Sequence, residues 1–238
     1  MVEFGDSLEW RFVMGGLGRD FKGHERGALR AWAIDAGAID MPLDPLLWDE
    51  GGISSTYPAC MAVKAAGEQG AEAEARYLRG LREGLMCFRR KLDSLEPFVD
   101  EARRLGLDVE RFRVDAGSHA IIEAFGNDLE LTRAGAPGSP REDRVPFPTL
   151  RFGDDGWVFG RGSYEELAAA AEGAGAVRTP GAISVDAAFA RFERLAVKEV
   201  EVLCGLAGPL AHAELWRRAA EWQLKPLAAG QGWLFERA

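Results

Sequence analysis

The sequence predicts an α/β layered domain, and three observations carry that reading. An apolar/polar alternation runs over residues 8–14, "LEWRFVM", with Leu8, Trp10, Phe12 and Met14 on one face. A leucine stripe follows at helical spacing: Leu78, Leu81, Leu85, Phe88 and Leu92. Two short β-prone runs, 147–152 and 157–160, are then joined by "GDDG" and followed by a capped helix. Strand, helices, strand, strand, helix is the order of a layered domain and not of a helical bundle.

The elements follow from local rules. Gly15-Gly16-Leu17-Gly18 ends the first strand sharply. Residues 19–56 carry Gly, Asp, Pro42 and Pro45 and read as a long connection with one helical turn near 25–33. Helices are predicted over 58–69, 74–92 and 96–105, with Gly70 and Gly106 as C-terminal stops. Ser118 is placed as an N-cap, with Ile121, Ile122 and Phe125 turned inward. Residues 133–144 are a loop by composition. In "GRGSYEELAAAAEGAG", Ser163 and Glu166 form a capping box.

The chain therefore divides into four parts: 1–56, the second core strand and its connection; 57–132, a helical insertion; 133–180, the hairpin and helix; and 181–238, a helical extension with a terminal hairpin. In the last part Phe189, Phe192, Leu195, Ala196, Val200 and Leu203 line one amphipathic helix. Leu215, Ala219 and Trp222 mark another, and "PLAAGQGWLFE" closes the chain as a hairpin. Helix–helix–hairpin hints at a winged helix, but seven basic and seven acidic residues between 184 and 238 do not suit DNA. An extension packed on the main domain is the expectation.

Composition narrows the function. With 238 residues, 47% of them hydrophobic and 28% charged, the chain can bury a sizeable core. A formal charge of −9 argues against nucleic acid and anionic membranes. No apolar run is long enough to span a bilayer, and "MVEFGDSLEWRF" is no secretory signal. Cys60, Cys87 and Cys204 are odd in number and widely spaced, which fits a reduced cytoplasm. His24, His119 and His212 lack ligand spacing, so metal is not expected.

"VPFPTLRF" (145–152) poses a question, because two prolines stand at the entrance of a strand. On residues alone they read as trans prolines that keep an edge strand from pairing. Several stretches change that reading: "VMGGL" (13–17), "DPLLWDEGGISSTYPACMAVKAAGEQG" (44–70), "LREGLMCFRRKLD" (81–93), "ARRLGLDVERFR" (102–113), "SHAIIEAFGNDLE" (118–130) and "FPTLRF" (147–152). In that order and spacing the chain resembles the DsbA-like thioredoxin-fold family, in the cytoplasmic branch that holds FrnE-like proteins, near the 2-hydroxychromene-2-carboxylate isomerases.

The resemblance implies a thioredoxin-like fold with a large helical insertion and a helical C-terminal extension. It makes Pro148 the cis-proline of the substrate wall, with the backbone of Phe147 offered to a bound thiol or peptide. It also implies a Cys-x-x-Cys or Cys-x-x-Ser motif ahead of the "VMGGL" strand. Neither motif occurs here, so the chain reads as N-terminally truncated, with no catalytic residue assigned. The leading implication is a thiol-disulfide oxidoreductase in full-length form, and the alternatives are a glutathione-dependent isomerase or transferase and a non-catalytic binding or adaptor protein. Glutathione is the one cofactor implied, by the second of these. The substrate is unidentified, and self-association through the incomplete sheet is expected.

Cys60, one turn into a helix after Pro58, could have its thiol activated there, although a packed thiol is the better reading. Cys87 and Cys204 read as packing residues. Tyr57, Trp48 and His24 are the groups that could line a cleft.

Overall fold

A computed structural model of the chain describes residues 2–20, 26–49 and 52–238. It has two compact units, each assembled from three stretches of chain: 1–19, 56–77 and 98–180 in the first, and 20–55, 78–97 and 181–238 in the second. Helices and strands are mixed, as predicted for an α/β chain.

In the first unit, helix α3 (Tyr57–Gly67) buries Ala59, Ala62, Val63, Ala65 and Ala66. Small side chains there let α6 (Val109–Ala116) and α7 (His119–Arg133) approach closely. Each of those helices is N-capped: Asp108 accepts from Arg111 N, and Ser118, the predicted cap, accepts from Ile121 N. Strands β1 (Thr149–Phe152) and β2 (Gly156–Phe159) form an antiparallel hairpin pairing Thr149 with Phe159 and Phe152 with Gly156. Helix α8 (Tyr164–Gly173) covers it, opened by the Ser163–Glu166 capping box. Phe4, Phe152, Ala168 and Ala171 form the small core beneath, joined by Leu8, Leu150 and Val158.

Residues 8–14 correct the first expectation. Burial alternates residue by residue, with Leu8, Trp10, Phe12 and Met14 inward, yet no strand forms. Among the described residues no backbone group from Leu8 to Val13 makes a hydrogen bond. A period of two buries one face of an extended chain, but a strand also needs a neighbour to complete the ladder.

The second unit opens with α1 (Arg26–Ala38), a full helix where the sequence predicts a single turn, and the short α2 (Leu46–Asp49). Helix α4 (Ala71–Met86), which belongs to this unit from Leu78 onward, starts three residues before the predicted 74–92 and ends six early, just ahead of Arg89 with its positive φ of 50°. Its Leu78, Leu81 and Leu85 are buried as the stripe requires. Helix α5 (Leu95–Arg104) follows; from Phe98 onward it belongs to the first unit, and it buries Phe98, Val99 and Ala102.

The tail is not one amphipathic helix followed by another. It runs α9 (Val185–Arg191), β3 (Arg194–Ala196), α10 (Val197–Cys204), α11 (Gly208–Ala220), β4 (Leu224–Ala229) and β5 (Gly232–Arg237). Phe192 is extended, at φ −122° and ψ 126°, which breaks the helix. Leu195 then pairs with Phe235. The sheet order β3-β5-β4, with two helices between its first two strands, is that of a winged helix. Its core is Ala188, Phe189, Leu195, Val200, Leu215 and Phe235. The β4–β5 turn is tied down within the unit, where Gly230 forms a bridge with Leu43.

A charge network locks α4 to the winged helix. Arg79 reaches Glu83 and Glu199, each at 2.5 Å. Arg194 pairs with Glu83 and, at 3.1 Å, with Glu236.

Candidate functional site

The site grows from the loop ahead of β1. The Phe147–Pro148 peptide bond is cis, as the resemblance implies. The loop is held from both ends: Thr149 Oγ1 donates to the Pro146 carbonyl at 2.5 Å, and Gly160 N donates to the Pro148 carbonyl at 2.8 Å. That last bond fixes the alternation of the hairpin. Residues 148, 150 and 152 face β2, while the backbone groups of Phe147, Thr149 and Arg151 point away from it. Phe147 is 41% exposed, and neither its N–H nor its carbonyl is engaged among the described residues. Phe147 and Pro148 thus present an apolar ring beside an open backbone donor and acceptor.

Opposite lies Gly15-Gly16. A Cβ on Gly15 would stand 2.0 Å from Phe147 Cζ, so the ring rests on bare backbone. Gly16, at φ +59°, admits Tyr57 and Leu129, each 2.8 Å from where its Cβ would be. Tyr57 meets Phe125 edge-on at 5.0 Å, and its hydroxyl accepts from Arg133 Nη2 at 3.4 Å. Gly18 and Thr56 exchange backbone and hydroxyl bonds of 2.9–3.0 Å, which pins the loop to the start of α3.

Behind this wall is a buried charge cluster. Asp128, 1% exposed, accepts from Met14 N at 2.8 Å and lies 3.2 Å from Lys64 Nζ. Arg11 approaches it at 3.9 Å, and Lys64 also reaches Glu74 at 3.7 Å. Burial holds the Glu74 carboxyl above the usual range, and Lys64 opposes the shift.

Cys60 borders the cluster. Burial pushes its thiol up to about 11, although the Gly16 backbone hydrogen bond pulls the other way and Asp128 adds to the rise. Burial likewise raises Cys87 to about 11 and lifts Cys204. All three are unpaired. Helix placement alone does not activate Cys60, because desolvation of the thiolate outweighs it.

Tyr57 is thus brought to the site beside Gly16. Trp48 belongs to the other unit, where it is buried edge-on to Trp32 at 5.5 Å. His24 lies outside the described residues. Asp128 and Lys64 are the groups that sequence reasoning missed. The signal was present in α7, where Ile121, Phe125, Asp128 and Thr132 share the buried face, an acid set into an apolar stripe. Among the described residues, no three His, Cys, Asp or Glu side chains converge as a metal site. Nor is any described helix long and apolar enough to cross a membrane.

Comparison with known proteins adds the lineage. The family model described as thioredoxin matches residues 1–134. A ClpXP adapter protein SpxH from Halalkalibacterium halodurans is 31% identical over 141 residues, 56% of this chain and 46% of the relative. The Bacillus licheniformis protein of that name is 30% identical over 148 residues, 60% of this chain and 48% of the relative. The one from Bacillus subtilis is 30% identical over 103 residues, 42% and 34% of the two chains. The chain therefore spans about half the length, or less, of these curated relatives. With the thioredoxin model covering more than half of its residues, the chain belongs to the thioredoxin family.

Proposed function

We propose that the protein is a binding protein of the adaptor kind, which holds another protein for a protease of the ClpXP type. The observation that carries this is the contrast at the site. Phe147 offers an open ring and backbone for docking, while the neighbouring thiol of Cys60 is held near 11. Thiol exchange needs a thiolate, and at neutral pH such a group supplies about one part in ten thousand. The naming of the relatives as ClpXP adapters supports the same reading. The helical insertion (57–132) and the C-terminal region (181–238) would supply further docking faces.

A second reading is favoured by the open backbone at Phe147. In a DsbA-like oxidoreductase or a glutathione-dependent isomerase of the FrnE-like branch, that backbone would hold a substrate thiol or the cysteine of glutathione. Such chemistry needs a reactive nucleophile, and within these 238 residues the thiol that borders the site is that of Cys60. A cytoplasmic setting suits both readings.

The test pairs proteolysis with thiol chemistry. Adding the purified chain to ClpXP and a cell extract should speed the loss of one or a few proteins and leave insulin disulfides intact. Iodoacetamide should label Cys60 at least about a hundred times more slowly than an exposed cysteine at pH 8. Unchanged turnover of every protein, with insulin reduced in a Cys60-dependent way, would replace the adaptor by the oxidoreductase.

A further inference from the structure

The segment 8–12 is extended, its side chains alternate in burial, and it has no backbone partner among the described residues. An unpaired extended segment with one apolar face is a template for another strand. Its outward side chains are Glu9 and Arg11, both exposed, and its inward ones are Leu8, Trp10 and Phe12. This pattern complements itself. In an antiparallel pairing centred on Trp10, Glu9 of one copy stands opposite Arg11 of the other, twice over, and Leu8 stands opposite Phe12. Directly opposed charges of unlike sign stabilise a strand pair, and like charges destabilise it.

We propose that a second copy of this chain docks on residues 8–12 through that two-fold register. Other registers are worse. Centring on Arg11 sets two arginines face to face, and centring on Glu9 sets two glutamates so. A shift by one residue in a single copy would turn Trp10 and Phe12 out to solvent. The β1 edge is a less apt partner for a second copy, since Arg151 is hydrogen-bonded to the Asp154 carbonyl at 3.0 Å and lies over Trp157, whereas the exposed Arg11 only approaches Asp128, at 3.9 Å. The inference does not depend on the adaptor reading, because the donor is the chain itself.

Sedimentation velocity of the whole chain over a concentration series is the test. The wild type should show a monomer–dimer equilibrium. Glu9→Arg should weaken the dimer at least about tenfold by setting a second cation against Arg11. Glu9 makes no contact among the described residues whose loss would unfold the chain. The register has its own readout: a mixture of Glu9→Cys and Arg11→Cys chains should oxidise to a cross-linked pair, and neither variant alone should. A wild type that stays monomeric at every concentration overturns the proposal. So does a dimer that Glu9→Arg leaves intact, or one in which Glu9→Cys cross-links to itself. None of these results bears on turnover by ClpXP.

Discussion

The ring of Phe147 occupies the space that a side chain on residue 15 would need, with Cζ 2.0 Å from where a Gly15 Cβ would stand. Gly15→Ala must therefore swing the ring away. Because Phe147 is partly exposed, the neighbour can give, and the cost should be about 1–2 kcal/mol, the range for overpacking with relaxation. The coupling is the sharper measurement. In a Phe147→Ala background, Gly15→Ala should cost about 1 kcal/mol less. Urea denaturation of the four proteins in the cycle reads it directly, and additive effects would mean that the two residues do not meet.

Gly230 tests the opposite case. Its φ is +59°, and a Cβ there would lie 2.0 Å from the Leu43 carbonyl oxygen and 2.8 Å from Asp44 Cα. Here the obstacle is backbone, in a bridged pair that cannot swing aside. Adding the left-handed penalty to the clash, Gly230→Ala should cost about 3 kcal/mol, well above Gly15→Ala. Comparing the two melting curves is enough to rank them.

Asp128 holds the Met14 amide and faces Lys64 from a position that is 1% exposed. Removing the carboxylate leaves a poorly solvated ammonium without its nearest partner. Asp128→Ala should cost about 3–5 kcal/mol. Asp128→Asn keeps an acceptor for Met14 N–H and should cost clearly less. Equal losses in the two variants would assign the effect to the charge that faces Lys64, with the Met14 amide bond contributing nothing measurable.

What the sequence discloses and what it hides divides by range. The Leu78–Leu81–Leu85 stripe, the Ser118 cap and the Ser163–Glu166 box are decided within a few residues, and each stands where the local rules put it. The tail misleads for the same local reason. Phe189, Phe192, Leu195 and Ala196 keep helical spacing, but Leu195 is claimed by Phe235, forty residues later. Residues 8–14 show the converse, a strand pattern with no partner among the described residues to make it a strand. In the site, Pro148 is legible only through resemblance. The meetings of Phe147 with Gly15 and of Asp128 with Met14 join residues more than a hundred positions apart, and no local pattern encodes them.

Two carboxylates should shape the pH dependence in opposite senses. Hydrogen bonds from Arg217 and Arg218 hold Glu214 down at about 2. A depressed acid contributes stability that is present above its ordinary 4.5 and is lost as pH falls from there through about 2. Burial raises Glu74 above 4.5, so its contribution is full below 4.5 and is lost as pH rises through the folded value. Glu214→Gln should thus flatten the acid limb of a plot of denaturation midpoint against pH. Glu74→Gln should flatten the decline that begins above 4.5. The reverse assignment of slopes would refute both.

The winged-helix order of the tail invites a DNA-binding reading, and its electrostatics argue otherwise. Phosphate contacts need arginines and lysines free to release counterions. On α11, Arg217 is held by Glu214 at 2.8 Å and by Glu221 at 2.6 Å. Arg218 is held by Asp186 at 2.5 Å and by Glu214 at 2.7 Å. The turn that would serve as a wing is bridged to Leu43 instead. Duplex DNA should therefore show no retardation even in low salt, where phosphate contacts are strongest. Reversing Glu214 and Glu221 to lysine frees Arg217 from both of these partners, leaves Arg218 only Asp186 of its two, and adds two cations to the helix. The double variant should bind duplex DNA weakly, with an affinity that falls steeply as salt rises. Retardation by the unmodified chain at low salt would mean that the ion pairs of α11 open readily for phosphate, and that the wing is not needed for contact.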